Sequence, residues 1–253
     1  MADKKRYIIL DEIRGFAIIC MVFFHAFFTF AYLFGWQMFD VLFRFFMPAE
    51  PFFAFVFIFI SGVCAKLTRS NLKRGLYLSV VALLLTLVTV FLEKVCNMQA
   101  VAIYFGILHL LSICMITYPV FDKLISKIPI LAGVIIFTLL TVLTFDVSVG
   151  YIKFFGIQIA ELPLEWYSNN LFMPLGFPDL FFTSSDYFPL IPWLFAFLAG
   201  ACFGRYVAAD RLPPFCSKMH IRPFAYCGRH SLIIYILHQP VIYAIGYLIT
   251  LIQ

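Results

Sequence analysis

Charge is scarce in this chain. Asp, Glu, Lys and Arg make up 12% of its 253 residues, against 64% hydrophobic residues and a mean hydropathy of +1.00. A soluble domain runs about 25% charged, and even a large one leaves roughly a quarter of its chain surface in water. A water-soluble globule is therefore excluded, and lipid must be the solvent for most of the surface. Cysteine offers no framework either. There are seven, and Cys20, Cys64, Cys114 and Cys202 lie inside apolar runs, where a thiol behaves as a small hydrophobe. Only Cys96 falls in a loop assigned to the outside, so no disulfide scaffold is implied. Cys216, His220, Cys227 and His230 lack zinc-finger spacing, and no metal site is expected. Phosphate loop, nucleophile elbow, dinucleotide fingerprint and internal repeat are all missing from the sequence.

What the chain has instead is apolar runs. A span needs about 20 mostly apolar residues to cross about 30 Å of hydrocarbon. Seven segments qualify, at roughly 8–33, 51–68, 75–92, 100–119, 129–146, 187–205 and 230–250. The fold class expected is all-α, a polytopic membrane helix bundle, with residues 1–253 forming a single transmembrane domain. Pro51, Pro119, Pro129 and Pro189 fall near segment ends, where a missing N–H does least harm. The first segment follows Lys4, Lys5 and Arg6 but is too long for a leader's apolar core and has no small-residue cleavage site. It reads as a retained helix.

Lysine and arginine orient the spans. With the N-terminus cytoplasmic, the inside receives Lys4, Lys5, Arg6, Lys66, Arg69, Lys73, Arg74, Lys123, Lys127, Arg205, Arg211, Lys218, Arg222 and Arg229. The outside receives Arg44, Lys94 and Lys153, and Arg14 lies within the first span. This asymmetry obeys the positive-inside rule and places the C-terminal Gln253 outside. It also makes the formal charge of +5 a topology device and removes the motive for a nucleic-acid partner. The outer connection 147–186 is acidic, and its apolar middle, broken by Pro174, Gly176 and Pro178, reads as an interfacial or re-entrant cover. The inner connection 206–229 is basic. Gly200 and Gly204 form a small-residue ridge for helix packing.

Ionisable groups inside spans cost about 2.5–3.5 kcal/mol each on insertion scales, so each is a site hypothesis. Arg14 and His25 are separated by about three helical turns and about 20° of rotation, which puts them on one face roughly 16 Å apart. Asp11 sits one turn below Arg14 and can pair with it. His109 is expected about 13 Å from the outer end of the fourth span, and His25 about 12 Å from that of the first. His238, with Gln239, enters the seventh span from inside, roughly level with Arg14. Ser231, Tyr235 and His238 follow one face at helical spacing. A polar tract crossing the bilayer results. Its chemistry fits acyl transfer, with a histidine as base for an amine or hydroxyl and cytoplasmic arginines and lysines for an anionic nucleotide headgroup. A solute or proton-coupled transporter could use the same tract, but paired broken helices and internal repeats are lacking.

Four stretches carry a resemblance. Leu10-Asp11-Glu12-Ile13-Arg14-Gly15-Phe16-Ala17-Ile18, ending at His25, resembles the first helix of transmembrane acyltransferases, whose signature is an arginine and a histidine separated by ten residues. Phe105-Gly106-Ile107-Leu108-His109, Asp186-Tyr187-Phe188-Pro189-Leu190-Ile191-Pro192-Trp193 and Gly228-Arg229-His230-Ser231-Leu232-Ile233-Ile234-Tyr235, running into His238-Gln239-Pro240, resemble the bacterial relatives of heparan-alpha-glucosaminide N-acetyltransferase. The resemblance implies acetyl-CoA as cytoplasmic donor, a sugar or glycan acceptor on the far side, His25 as the catalytic residue and Arg14 as its signature partner. It marks His109, Asp186, Trp193, Arg229, Ser231, His238 and Gln239 as motif positions.

From these readings His25, Arg14, Asp11, His109 and Asp186 are expected to carry catalysis. Arg69, Lys73, Arg74, Arg229, Ser231, His238 and Gln239 are expected to hold the donor, and Trp193 with Asp186 the acceptor. The setting expected is a bacterial plasma membrane, since no cleavable leader or large outer domain is evident. Homo-oligomerisation is left open.

Overall fold

A computed structural model describes residues 6–98, 101–154 and 156–252; Lys4, Lys5 and Gln253 of the orientation argument lie outside the described residues. Helices dominate. They are α1 (Ile8–Phe28), α2 (Gln37–Phe46), α3 (Glu50–Leu67), α4 (Asn71–Lys94), α5 (Ile107–Ile125), α6 (Ile130–Leu143), α7 (Leu190–Ala208), α8 (Arg222–Arg229) and α9 (Ser231–Ile252). Between α6 and α7 runs a small hairpin of β1 (Tyr151–Phe154) and β2 (Ile157–Glu161). Seven helical stretches are long and apolar enough to cross a membrane, so the chain is a polytopic all-α membrane protein. Leu83, Leu84, Leu87, Val88 and Phe91 of α4 are all more than half exposed, a pattern that makes sense only against lipid.

The chain divides into two compact units, Met1–Ile60 with Asp210–Gln253, and Ser61–Ala209. In the first, α1 continues through a π-helical turn, Thr29–Leu33, into a bend at Gly35 and then α2. The sequence reading had no α2. Tyr32 donates to Asp40 at 2.9 Å and Arg44 Nε donates to the same carboxylate at 2.9 Å, which ties this amphipathic helix back to the end of α1. The span expected at 51–68 therefore begins with a second, separate helix at Gln37.

The basic connection 206–229 also holds an unanticipated helix. Helix α8 packs along α1 because two glycines meet there. A Cβ on Gly15 would lie 1.8 Å from the Phe224 carbonyl oxygen, and one on Gly228 would lie 1.8 Å from that of Asp11. Glu12 locks the entry to α8. Only 4% exposed, it accepts the backbone N–H groups of His220 (2.6 Å) and Ile221 (2.9 Å) and lies 3.2 Å from the His220 imidazole.

In the second unit α7 is the most buried span. Ala196, Ala199, Ala201 and Cys202 are fully enclosed, and these small side chains let α5 and α6 approach closely. Lys66 and Arg205, counted above as inside charges, are structural here. Lys66 Nζ bridges both oxygens of Asp122 (2.8 and 2.9 Å), which also accepts from Tyr118 (2.9 Å). Arg205 donates to the carbonyls of Ile125, Ser126 and Ile128, closing the C-terminal end of α5. Helix α5 runs a turn and a half beyond Pro119, which therefore sits inside it. The connection 147–186 contains the hairpin and short 3-10 turns.

Candidate functional site

The four motif stretches fold into two pairs, one in each unit. In the first unit the α1 motif and the α8–α9 motif interlock through Gly15 and Gly228. At that crossing Asp11 gathers three guanidinium groups. Arg6 donates to Asp11 Oδ2 from Nη2 at 2.7 Å and from Nε at 3.1 Å; Arg229 Nε lies 3.9 Å and Arg14 Nη1 4.0 Å from the same carboxylate. Asp11 and Arg14 are mostly buried while Arg6 and Arg229 reach solvent. The crossing is thus rich in guanidinium groups, a composition suited to an anion. Arg6 escaped the sequence reading because it precedes the helix, where periodicity places nothing.

Farther along α1 lies His25. The sequence reading put His238 level with Arg14, but because α8 runs along α1, helix α9 starts deeper and His238 lands beside His25. The two imidazoles are 5.0 Å apart between centroids and tilted by 52°. Next to them Thr29 donates to the Gln239 side-chain oxygen at 3.4 Å, joining the C-terminal end of α1 to the middle of α9. Phe24 covers His25 edge-on at 5.8 Å, and the buried Tyr235 ring lies 5.7 Å from His238. His238 Nδ1 is 2.6 Å from the Tyr235 carbonyl oxygen, which can only accept, so Nδ1 carries the hydrogen. Ser231, the first residue of α9, is half-buried.

The second unit joins the other two motifs. Phe105 and Tyr187 form a parallel bridge, with Ser185 N–H on the Ala102 carbonyl (3.0 Å) and Phe188 N–H on that of Phe105 (2.9 Å). This extended stretch, held also by Glu93 accepting from Val101 and Ala102, delays the start of α5 to Ile107. His109 is thus in the first turn of α5, and the depth of about 13 Å reckoned from a start at residue 100 does not apply. Its Nδ1 accepts the Gly106 N–H at 3.2 Å, so Nε2 bears the hydrogen and meets Thr86 Oγ1 at 3.2 Å, which in turn donates to the Ile103 carbonyl. Asp186 Oδ2 accepts the Ile107 N–H at 3.0 Å. Asp186 thus caps α5. Trp193 is buried between Phe145 and Phe188, at 5.9 and 5.2 Å.

Arg69, Lys73 and Arg74 lie together, exposed, at the turn between α3 and α4, where Ser70 caps α4 and Arg74 donates to Thr68 at 2.6 Å. The sequence-selected residues therefore separate into Asp11, Arg14 and Arg229; His25, His238 and Gln239; His109 and Asp186; and the α3–α4 basic turn. Besides Arg6, sequence reasoning missed Glu12 and Thr29, and only their polar chemistry inside an apolar run could have flagged them.

Neither the curated proteins nor the solved structures yield a match to this chain. One family model does match, over residues 6–240, described as the catalytic domain of heparan-alpha-glucosaminide N-acetyltransferase. With that match across all four motifs, the chain belongs to the heparan-alpha-glucosaminide N-acetyltransferase catalytic family, a family of multi-pass membrane transferases.

Proposed function

We propose that this protein moves an acetyl group from cytoplasmic acetyl-CoA to an amine or hydroxyl of a sugar or glycan on the outer side of the membrane, with His25 as general base. The observation that carries the reading is the arrangement on α1, where an arginine-rich crossing at one end leads along a single helix to an imidazole pair. The N-terminus is cytoplasmic, as the lysine and arginine bias requires. The phosphates of the donor rest on Arg14, Arg229 and Arg6, whose guanidinium groups suit an anion, with Asp11 holding the three guanidiniums in place. The thin pantetheine arm then runs along the face that bears Arg14 and His25.

At the far end, His25 takes the proton of the acceptor as its nitrogen or oxygen attacks the thioester carbonyl carbon. The carbon–sulfur bond breaks, and CoA leaves as its thiol once the proton is returned. Positioning a base against a bound nucleophile contributes about 10²–10⁴ in rate. His109 and Asp186 serve the reaction by positioning, through the cap they form on α5. Within the second unit, the exposed Arg69, Lys73 and Arg74 form a separate basic turn suited to an anion, and Trp193 and Asp186 are proposed for the acceptor.

Purified protein supplied with labelled acetyl-CoA and glucosamine-type acceptors tests this. Wild type should label the acceptor and His25→Ala should lose about 100-fold or more of the rate. Equal labelling by the two proteins would remove His25 from the mechanism.

A further inference from the structure

His238 has a feature that donor binding does not use. Its Nδ1 hydrogen is committed to the Tyr235 carbonyl oxygen at 2.6 Å, so in the neutral ring Nε2 holds a bare lone pair. That Nε2 is buried and has no hydrogen-bond partner among the described residues. Buried polar atoms are ordinarily paired, and one that is not calls for a reason. The neighbouring imidazole supplies it. His25 lies 5.0 Å away, centroid to centroid, and its own nitrogens make no hydrogen bond among the described residues. The Thr29–Gln239 bond fixes the adjacent residue of α9 against the end of α1. One imidazole is therefore tethered with its basic nitrogen empty, and the other is untethered beside it.

We propose that His238 is a second catalytic imidazole, which passes the acceptor's proton to the departing sulfur. This rests on the acetyl-transfer reading above. His25 removes the proton from the attacking N–H or O–H while the new bond to the acetyl carbon forms. The His25 ring turns and delivers that proton to His238 Nε2. As the carbon–sulfur bond breaks, the imidazolium of His238 gives the proton to the thiolate. The products are the acetylated acceptor and CoA thiol, and both rings end neutral.

The test is His238→Asn, whose amide can still donate to the Tyr235 carbonyl but has no Nε2. Acetyl-CoA affinity by calorimetry should stay within about 3-fold of wild type, while kcat for acetyl transfer to glucosamine falls about 100-fold or more. Millimolar imidazole should restore part of the rate. An unchanged kcat, or a defect seen only as a raised KM for acetyl-CoA, overturns the proposal and leaves His238 a donor-binding group. Should His238→Asn fail to fold, nitrogen-15 spectra of histidine-labelled wild type decide. A protonated Nδ1 with bare Nε2 supports the relay, and a proton on Nε2 overturns it. Wild type that transfers no acetyl group at all would instead overturn the parent reading, and the relay with it.

Discussion

Replacing Gly15 by alanine should push α8 off α1. The added Cβ would lie 1.8 Å from the Phe224 carbonyl oxygen and 2.8 Å from the Gly228 nitrogen, both backbone atoms that no rotamer change can move. Comfortable contact begins at about 3.5 Å, so α8 must retreat by roughly 1.5 Å. Overpacking of this kind costs about 1–3 kcal/mol, and a clash with rigid backbone belongs at the upper end. Retreat would also draw Arg229 away from Asp11, now 3.9 Å apart, and carry the start of α9 with it. Thermal unfolding in detergent should register a drop on the order of 6–12 °C for about 3 kcal/mol. Acetyl transfer should fall in the same variant. Gly228→Ala makes the reciprocal clash with the Asp11 carbonyl, so the double variant should cost little more than either single one, because the helices separate only once. A Gly15→Ala protein with wild-type melting temperature and rate would refute the interlock.

Other consequences are independent of that crossing. His109→Phe should leave the Gly106 N–H without its acceptor and cost about 1–3 kcal/mol of stability, with a smaller loss of kcat than His25→Ala; a collapse of kcat as deep as that of His25→Ala, in a stable protein, would make His109 a catalytic residue. Tyr7 donates to the Asp210 carboxylate, which pushes its hydroxyl up to about 12 from an ordinary value of about 10. The stabilisation is complete below about pH 10 and is lost as pH rises through the folded value, so melting curves of wild type and Tyr7→Phe should differ at neutral pH and converge above it. Lys66→Met would leave Asp122 half-buried without its cation and should lower the melting temperature, whereas Lys66→Met with Asp122→Leu should recover most of the loss.

Much of the framework could be read from the chain, because lipid leaves a plain hydropathy signature and each span needs its own run. All seven expected segments overlap an observed span. Arg14 and His25 were legible for the same reason, since helical periodicity alone puts them on one face. What failed to show was whatever depended on how the helices fold back. The α8 segment carries two arginines in eight residues and reads as loop, yet the Gly15–Gly228 contact lays it along α1. That contact sets the depth of α9 and so puts His238 beside His25. His109 was placed too deep because residues 101–106 are apolar and look helical, while the Glu93 cap and the pairing with residues 185–188 hold them extended. Arg6 and Glu12 gave no sign of their partners, Asp11 for one and the His220–Ile221 backbone for the other, because short- and long-range pairing outside a regular helix has no period.

Acetyl-CoA titrated calorimetrically into the detergent-purified protein tests the central claim most directly. The account predicts saturable binding at one site per chain, weakened by Arg14→Gln or Arg229→Gln and retained in His25→Ala. Failure of acetyl-CoA to bind, in a protein that carries a solute or protons across vesicles, would contradict it.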